Sequence, residues 1–549
     1  MASSSPFPSI DIPNVDVWSL LFERKDRGYP DNKVLFTDAD TGRDYTYADI
    51  RKLALNFGQT LRQRWNWQKG SVLAIFSPNA IDLPPIIWGT LAVGGIICPI
   101  NPSYRAEELI HPLKDSGAQA IVTQKAQEAV ARQAAKQAGI NADRVIVIDE
   151  PQRNSIWESN PGAIPGRVLD SPWQAPIVDP SREVAFLVYS SGTTGLSKGV
   201  KLSHRNMVAN LLQSTSVDQG VLGWDRGLHG EGDRALALLP FFHIYGLTYL
   251  LNHAVFLGIS TFVMPRFNLD KFCSAVQQHQ ITYAYVVPPL ILELVRNPRV
   301  QQYNLGSLRM MLSAAAPLAV ELIHELQEKL NLSVRQAYGM SECAPCTHMQ
   351  CWDEARTHVG STGRLLPNMT AKYVGVEGES GSKSKELWVK GPNVFLGYLN
   401  NEKANNESFS EDGYYKTGDV GYEDENGHFF ITDRVKELIK YNGFQVAPAE
   451  LEGIALSHPA VGDAAVVGIS SGQGGSELPR AYVVPRASHA PDESTAQSIV
   501  RFVKDRVISY KQLRGGVRFV DAIPRNPSGK ILRRELKRID RNNERPSKL

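Results

Sequence analysis

The sequence predicts an α/β fold: a large N-terminal domain of parallel-type sheets flanked by helices, followed by a small α+β C-terminal domain. Three observations predict it. Apolar runs of strand length alternate with helix-length stretches, the pattern changes to shorter units after about residue 433, and 549 residues provide for several structural units. Hydrophobic residues make up 42% of the chain and charged residues 21%, which is ordinary for a globular protein.

The strands predicted in the large domain are apolar throughout, which indicates burial on both faces of a sheet. They lie at residues 72–76, 120–123, 145–148, 184–188, 235–239, 261–264, 283–287 and 310–312. Helices are predicted between them, for example at residues 126–138 and 320–330. The longest apolar stretch, residues 86–100, is too short and too rich in glycine to cross a membrane, and it predicts a buried helix followed by a strand.

After about residue 433 the predicted elements become shorter. Strands are expected at residues 464–469, 481–484 and 517–520, a turn rich in glycine and serine at 470–476, and a helix at 498–509. This mixture predicts a small α+β domain.

Charge and cysteine content exclude several classes of protein. A net charge of +2 gives no basic surface for nucleic acid. Five cysteines, an odd and sparse number, argue against a disulfide framework and favour a reducing compartment. The first residues have neither the basic nor the apolar segment of a secretory signal, so none is expected.

The most informative segment, residues 189–201, reads YSSGTTGLSKGVK and follows a predicted strand. Glycines let the backbone approach an anion, hydroxyls add hydrogen-bond donors, and Lys198 adds a positive charge. It is not a Walker loop, because Ser197 precedes the lysine and Gly199 follows it, where that motif needs glycine and then Ser or Thr. The composition predicts a triphosphate site; the alternative is a surface linker.

This segment resembles the phosphate loop of the adenylate-forming enzymes, which include acyl-CoA synthetases, 4-coumarate–CoA ligases, firefly luciferases and peptide-synthetase adenylation domains. The family more often has proline at the position of Ser197. The resemblance covers residues 20 to 540 and is closest to 4-coumarate–CoA ligase-like enzymes. It implies an AMP-binding domain over residues 1–435 and a mobile C-terminal domain over residues 436–549, with the hinge near Lys436.

Further motifs in family order carry the resemblance: QAYGMSE at residues 336–342, YKTGD at 415–419 and DR at 433–434. They imply that Tyr338 stacks on adenine, that Ser341 contacts the α-phosphate, and that Glu342 helps to hold Mg²⁺. Asp419 and Arg434 are the implied ribose contacts. The implied ATP-binding residues are Ser190, Ser191, Gly192, Thr193, Thr194, Gly195, Lys198, Ala315, Gln336, Ala337, Tyr338, Gly339, Met340, Ser341, Asp419, Arg434, Lys436, Lys440 and Lys530.

The resemblance also implies catalytic roles for Lys530, Lys440, Gln445, His243 and Lys198. The first of these lies in a loop rigidified by Pro and Gly and corresponds to the lysine that enters the active site for adenylation, whereas His243 corresponds to a gate between the acyl pocket and the CoA channel. The implied CoA contacts are Arg266, Asn442, Gly443 and Phe444.

The implied acyl pocket differs from that of the 4-coumarate enzymes. Ala314 and Ala337 each stand where a glycine is usual, and each added methyl narrows the pocket. The implied pocket residues are His243, Tyr245, Ala314, Ala315, Ala337, Gly339, Met340, Pro345 and Cys346. Preference for a hydroxycinnamate is therefore in doubt, and a medium-chain fatty acid, an arylacetate and a specialised-metabolite acid stay open.

The expected activity is that of an acyl- or aryl-CoA ligase using ATP, Mg²⁺ and coenzyme A. A luciferase-like oxygenase shares the motifs and stays an alternative. A non-catalytic nucleotide-binding regulator is also an alternative, although Lys530 and Glu342 are both present. A carrier-loading enzyme is disfavoured because no carrier module follows.

The last three residues, Ser547, Lys548 and Leu549, form the peroxisomal tripeptide that an import receptor reads at a free C-terminus. They follow a polar tail, which is expected to be exposed. The sequence therefore predicts an enzyme of the peroxisomal matrix.

Two other patterns point to different chemistry. Residues 468–472 read GISSG and match a hydrolase elbow, but that motif needs a helix after the strand and here a loop and another strand follow. Cys343, Cys346, His348 and Cys351 suggest zinc, but they crowd into nine residues instead of two separated pairs. Buried thiols are the preferred interpretation, and His204 is assigned no chemistry.

Overall fold

The computed structural model describes residues 2–149, 176–190, 197–375, 384–441, 444–470, 476–527 and 529–543. Within these residues the strands form sheets of nine, six, five, three and two strands. Helices cover the faces of the two largest sheets, so the predicted α/β class is confirmed.

The nine-stranded sheet has a parallel centre and antiparallel edges. Its central strands, such as Tyr283–Val286 and Met310–Ser313, are buried at every position, as expected for parallel strands with both faces covered. In spatial order the nine strands are Arg364–Leu365, Cys346–Met349, Val334–Gly339, Met310–Ser313, Tyr283–Val286, Arg234–Ala237, Ser260–Val263, Val34–Asp38 and Asp44–Thr46.

The six-stranded sheet is parallel except for one edge pair. In spatial order its strands are Val145–Val147, Ala118–Thr123, Val72–Phe76, Ile96–Ile100, Val184–Ser190 and Lys198–Ser203. The last two strands are antiparallel, so the phosphate loop joins two neighbouring strands and does not lead into a helix. This differs from the strand–loop–helix order of a Walker site.

The helices of the large domain pack on these sheets. They are Val17–Phe22, Tyr47–Trp65, Leu83–Ala92, Ala106–Ser116, Glu128–Ala138, His204–Asp218, Leu269–His279, Pro288–Arg296, Val320–Leu330 and Glu402–Ser408, with short turns Ile244–Gly246 and Ala254–Leu257 flanking a π-helix, Leu247–His253. Helix Leu83–Ala92 is buried throughout and leads into strand Ile96–Ile100, which confirms the prediction for residues 86–100. Among the described residues, no helix is long and apolar enough to cross a membrane.

The eight strands predicted in the large domain are all present, and their bounds agree within two residues. The predicted run of parallel strands up to residue 433 is nevertheless incomplete, because an antiparallel five-stranded sheet begins much earlier. Its strands are Ala2–Ser4, Thr370–Val374, Lys385–Lys390, Tyr415–Glu423 and Phe429–Arg434. They mix buried and solvent-facing residues, so they lack the apolar runs that marked the other strands.

The C-terminal region has its own core. A hairpin, Ile439–Tyr441 and Phe444–Val446, precedes a three-stranded sheet made of Val461–Ser470, Glu477–Pro485 and Val517–Phe519. The helices are Pro448–Leu456, Glu493–Lys504 and Arg533–Asn543. The helix predicted at residues 498–509 thus begins five residues earlier, because the Asp492 side chain accepts from the Thr495 backbone N–H and caps it there.

Candidate active site

A cavity of about 840 Å³ lies between the large domain and the C-terminal region. Several lining segments directly follow the carboxyl ends of parallel strands, which is where α/β sheets present their loops to ligands. Predicted site residues that line it are Ser190, Lys198, His243, Tyr245, Ala314, Ala315, Ala337, Tyr338, Gly339, Met340, Ser341, Glu342, Pro345, Cys346, Arg434, Lys436 and Lys530.

The phosphate loop starts and ends at one antiparallel pair. Ser190 and Lys198 are Cα partners across the two edge strands, so the ends of the loop are held together. His111 Nε2 lies 2.9 Å from the carbonyl oxygen of Ser197 and supports the returning end. The predicted contacts at Ser191, Gly192, Thr193, Thr194 and Gly195 lie outside the described residues and stay predictions.

The predicted adenine and ribose residues form one hydrogen-bonded group. The Tyr338 hydroxyl donates to Asp419 Oδ2 at 2.6 Å, and Arg434 Nε lies 2.7 Å from Asp419 Oδ1. Burial and the neighbouring carboxylate of Asp419 raise the pKa of Tyr338, so its hydroxyl stays protonated and donates. Gln336 lies outside the cavity lining, where its side-chain amide donates to the Ser361 carbonyl at 3.0 Å.

The predicted acyl end of the cavity includes His243, which precedes a short helix and accepts from the Tyr245 backbone N–H at 3.3 Å. Burial lowers the pKa of His243 to about 4, so the ring is neutral at neutral pH. The Tyr245 hydroxyl donates to the Leu312 carbonyl at 2.8 Å, which fixes this ring against the strand ends. A neutral, fixed aromatic group is compatible with a gate beside an apolar chain.

The wall of the predicted acyl end is tightly packed. A Cβ on Gly339 would lie 2.0 Å from the backbone oxygen of Pro345, so this position requires glycine. Ala315 adopts φ +73, a left-handed conformation that is strained for a residue with a side chain. Ala314 and Ala337 both line the cavity, so their methyl groups border it.

Lys530 is brought to the cavity by the C-terminal region. Its Nζ lies 4.0 Å from Glu437 Oε1, and its backbone N–H donates to Asn526 Oδ1 at 2.9 Å. Burial, followed by the nearby positive charge of Arg434, lowers the pKa of Lys530. A Cβ on Gly529 would lie 3.3 Å from the Val287 side chain, so this loop rests directly on the large domain.

Other predicted residues lie away from the cavity lining. Lys440 and Gln445 are paired across the C-terminal hairpin. Phe444 is 52% exposed and stacks on Tyr510, with ring centroids 4.6 Å apart, and Arg266 is exposed on the large domain. Asn442 and Gly443 lie outside the described residues. Their proposed roles stay predictions.

The cysteine cluster consists of buried free thiols, as predicted for Cys343, Cys346 and Cys351. Burial raises the pKa of Cys346 to about 12, which keeps it a thiol. The His348 ring stacks on Phe429, with centroids 4.9 Å apart. Residues 471–475 of the predicted turn lie outside the described part of the chain, but the flanking elements are both strands, so the helix that a hydrolase elbow needs is replaced by a strand.

Sequence reasoning missed Tyr398, Tyr249 and Asn526, which all line or support the cavity. The Tyr398 hydroxyl donates to Glu342 Oε1 at 2.8 Å, although the two residues are 56 positions apart. Tyr249 lies on the π-helix, and its hydroxyl is 2.9 Å from Ser214 Oγ. A π-helix is a frequent feature of functional sites, but the hydrophobic periodicity of a sequence does not reveal it.

Comparison with known proteins agrees with this geometry. The family described as AMP-binding enzyme matches residues 22–399, and the family described as AMP-binding enzyme C-terminal domain matches residues 450–530. The chain is 37% identical to a probable 4-coumarate–CoA ligase 1 of Dictyostelium discoideum, with 97% of each chain covered. It is 36% identical to the 4-coumarate–CoA ligase of Pinus taeda, with 97% of this chain and 96% of that one covered.

Solved structures are similar over nearly the whole chain. ATP-bound MatB from Rhodopseudomonas palustris superposes with a TM-score of 0.84 at 26% identity, covering 97% of this chain and 100% of that one. The o-succinylbenzoate CoA synthetase of Bacillus subtilis, in complex with its acyl-adenylate intermediate, has a TM-score of 0.77 at 26% identity, with 95% and 98% covered.

Proposed function

The chain belongs to the AMP-binding enzyme family and is an ATP-dependent ligase that joins a carboxylic acid to coenzyme A, and from this premise we propose that its acid is a slim, unbranched medium-chain acid. The observation that supports the proposal is the wall of the acyl end. There Ala314 and Ala337 carry methyl groups, and the rings of Tyr245 and Tyr249 pack edge to face, with centroids 5.6 Å apart.

The two half-reactions place different demands on the cavity. First, a carboxylate oxygen of the acid attacks the α-phosphorus of ATP, the bond to the bridging oxygen breaks, and pyrophosphate leaves. Then the CoA thiol loses its proton to water, its sulfur attacks the acyl carbonyl carbon, the bond from that carbon to the phosphate oxygen breaks, and AMP leaves. The first step brings an anion to a polyanion, so Lys198 and Lys530, which line the cavity, supply the positive charge that lowers the repulsion.

Aromatic rings that are anchored in place restrict further which acids fit the cavity. Tyr249 is anchored through its hydroxyl to Ser214 and packs on Tyr285, with ring centroids 5.3 Å apart. Cys346 also lines this part of the cavity and is 2% exposed. A flexible alkyl chain can thread between such groups, whereas a substituted phenyl ring needs the width that the methyl groups occupy.

A panel of carboxylic acids, assayed for CoA-dependent formation of AMP, tests this proposal. Hexanoate and octanoate are expected to exceed 4-coumarate and ferulate in kcat/KM by about tenfold or more, since a methyl clash costs about 1–3 kcal/mol. Butyrate tests how short an accepted chain can be, and phenylacetate tests whether an unsubstituted ring is accepted. Preference for 4-coumarate or ferulate would contradict the proposal.

Glu342 is proposed to hold Mg²⁺. Its carboxylate lines the cavity at 9% exposure and engages Tyr398 through one oxygen, so an oxygen remains to face the phosphates. A carboxylate that shares a hard cation with phosphate oxygens is a fitting donor set. The ion would neutralise charge on the departing pyrophosphate. Titration of Mg²⁺ into wild type and Glu342→Gln measures this role.

The enzyme is proposed to work in the peroxisomal matrix. Ser547, Lys548 and Leu549 lie outside the described residues, and the support is the tripeptide itself. Deleting these residues, or adding one residue after Leu549, is expected to move a tagged protein from punctate organelles to the cytosol with unchanged activity in vitro. Unaltered punctate staining of both variants would contradict the targeting proposal.

A further inference from the structure

Tyr398 lies where three nucleotide-binding segments meet, although none of the sequence motifs contains it. Its hydroxyl donates to Glu342 Oε1 at 2.8 Å. Its ring faces the ammonium group of Lys198, with Nζ 4.8 Å from the ring centroid. Tyr415, the first residue of the ribose motif, lies close enough to interact electrostatically with it. One side chain therefore contacts the phosphate-loop lysine and the proposed metal ligand, close to the ribose segment.

The backbone of Tyr398 is held firmly in place. Residues 396–399 run beside strand Lys198–Ser203, where the Leu396 N–H donates to the Lys201 carbonyl at 3.0 Å and the Leu399 N–H donates to the Gly199 carbonyl at 2.8 Å. The Asn405 side chain bonds both backbone groups of Tyr398, at 2.6 Å and 3.1 Å. The Tyr398 side chain is only 7% exposed. Its ring is consequently restricted in movement and can orient its neighbours.

The two parts of the side chain act on different partners. The hydroxyl contacts Glu342 and fixes one carboxylate oxygen, which directs the other oxygen. The ring contacts Lys198 and favours the charged ammonium through its π face. Replacing tyrosine by phenylalanine removes only the first interaction, whereas leucine removes both. The chemistry thus allows the two effects to be measured separately.

We propose that Tyr398 is a positioning residue that holds the Glu342 carboxylate and the Lys198 ammonium at a fixed separation, so that nucleotide and Mg²⁺ bind as a unit. The inference rests on the proposed role of Glu342 in holding Mg²⁺. It assigns to Tyr398 no contact with the reacting atoms. What Tyr398 supplies is the alignment of the Glu342 carboxylate and the Lys198 ammonium.

Binding measurements without turnover test the proposal, with α,β-methylene-ATP as the nucleotide because its α–β bond resists cleavage. In EDTA, Tyr398→Phe is expected to bind the analogue within about twofold of wild type, because the ring is kept. With the analogue saturating, the Mg²⁺ concentration at half-saturation is expected to rise about tenfold, the effect of losing a hydrogen bond to a charged group. Tyr398→Leu should in addition weaken analogue binding in EDTA by about threefold.

Tyr373 provides a matched control. Its hydroxyl donates to Glu423 Oε2 at 2.6 Å, so it makes the same kind of tyrosine–glutamate bond, but neither residue lines the cavity. Tyr373→Phe is expected to leave both binding constants unchanged. A change in Mg²⁺ dependence in this variant equal to that of Tyr398→Phe would overturn the proposal, because the effect would then come from general loosening.

Combining Tyr398→Phe with Glu342→Gln in a double-variant cycle tests the role of Tyr398 separately from the proposed role of Glu342 in holding Mg²⁺. If Tyr398 acts through Glu342, then Tyr398→Phe has no further effect on Mg²⁺ dependence once Glu342→Gln is present. Full additivity of the two changes overturns the inference, and so does a wild-type Mg²⁺ constant in Tyr398→Phe while Glu342→Gln is impaired. Unchanged Mg²⁺ dependence in Glu342→Gln refutes the proposed metal role and with it the inference.

Discussion

At the scale of single residues, the methyl group of Ala337 is proposed to limit the room at the acyl end of the cavity. Ala337 lies on strand Val334–Gly339 and lines the cavity. Ala337→Gly is expected to raise kcat/KM for 4-coumarate relative to hexanoate by about tenfold, which corresponds to about 1.4 kcal/mol in transition-state binding. Steady-state kinetics with both acids measure the ratio.

Ala284 supplies the control for the Ala337 prediction. It is a buried alanine on strand Tyr283–Val286 of the same sheet and lies outside the cavity lining. Ala284→Gly also replaces a strand alanine by the more flexible glycine, but it does not enlarge the cavity. Its preference among acids should therefore match that of wild type. An unchanged ratio in Ala337→Gly, or an equal change in Ala284→Gly, would show that the methyl group at residue 337 does not select the acid.

The residues that sequence predicted in the cavity belong to contiguous motifs, such as residues 336–342, where composition and order carry the chemistry. Tyr398 and Tyr249 could not be predicted in this way. Each takes its position from a partner distant in sequence, Glu342 for the first and Ser214 for the second. A single sequence records no such pairing, because tyrosines with this burial are equally common in ordinary cores.

At the scale of elements, the strand predictions succeeded where a strand is buried on both faces. Strand Val72–Phe76 is buried at every position, so its apolar run alone identifies it. Strand Lys385–Lys390 begins and ends with exposed lysines and is partly buried between them. Its pattern is weak over only six residues, which explains why the antiparallel sheet was missed.

The loop that carries Lys530 owes its shape to Asn526. The Asn526 backbone N–H donates to the Lys530 carbonyl at 2.9 Å, and its side-chain oxygen accepts from the Lys530 backbone N–H at 2.9 Å. Asn526→Ala removes the side-chain bond, whose net worth of about 1 kcal/mol corresponds to about a fivefold change. The rate of ATP–pyrophosphate exchange should therefore fall about fivefold.

The second half-reaction provides the internal control for Asn526→Ala. Conversion of supplied acyl-AMP and CoA to acyl-CoA should stay within about twofold of wild type, because the loop is proposed to act in adenylation alone. Circular dichroism and the thermal midpoint confirm that the variant is folded. A similar loss in both half-reactions would assign the loop a general structural role.

At the scale of the whole molecule, buried histidines make the fold sensitive to acid. Burial lowers the pKa of His204, His243 and His253 to about 4 and that of His348 to about 3, below the ordinary value of 6.5. Between pH 6.5 and 4 the unfolded chain therefore binds protons that the native fold does not. The free energy of unfolding must fall as the pH falls through this window.

Two carboxyls, Asp433 and Asp463, oppose the histidines, because burial raises the pKa of both. Burial raises the pKa of Asp433 to about 7, so the native fold keeps a proton there that the unfolded chain releases. Near pH 5.5 the unfolded chain binds about three more protons than the native fold. The free energy of unfolding therefore falls by up to about 4 kcal/mol for each pH unit of acidification. Urea unfolding at pH 7, 6 and 5 measures the slope. His348→Asn should flatten it and the exposed His489→Gln should not; a flat profile in wild type would contradict the prediction.

The largest motion expected of the molecule is rotation of the C-terminal region between the half-reactions. In this structure Lys530 lines the cavity, whereas Lys440 and Gln445 lie on a hairpin away from it. We therefore expect a second arrangement of the C-terminal region to bring Lys440 and Gln445 to the cavity for the CoA step. Lys530 should then matter for the first half-reaction and Lys440 for the second.

Separate assays of the two half-reactions decide whether Lys530 serves only adenylation. Lys530→Ala should reduce ATP–pyrophosphate exchange by about 100-fold or more, as loss of a preorganised charge does, and change thioesterification of supplied acyl-AMP by less than about threefold.

Because the pKa of Lys530 is lowered, its charge is lost as the pH rises through a value below the ordinary 10.5. The alkaline limb of exchange should therefore move upward in Lys530→Arg, whose guanidinium stays charged, while the pH profile of thioesterification stays unchanged. Equal losses in both half-reactions of Lys530→Ala would show that one fixed arrangement serves both steps.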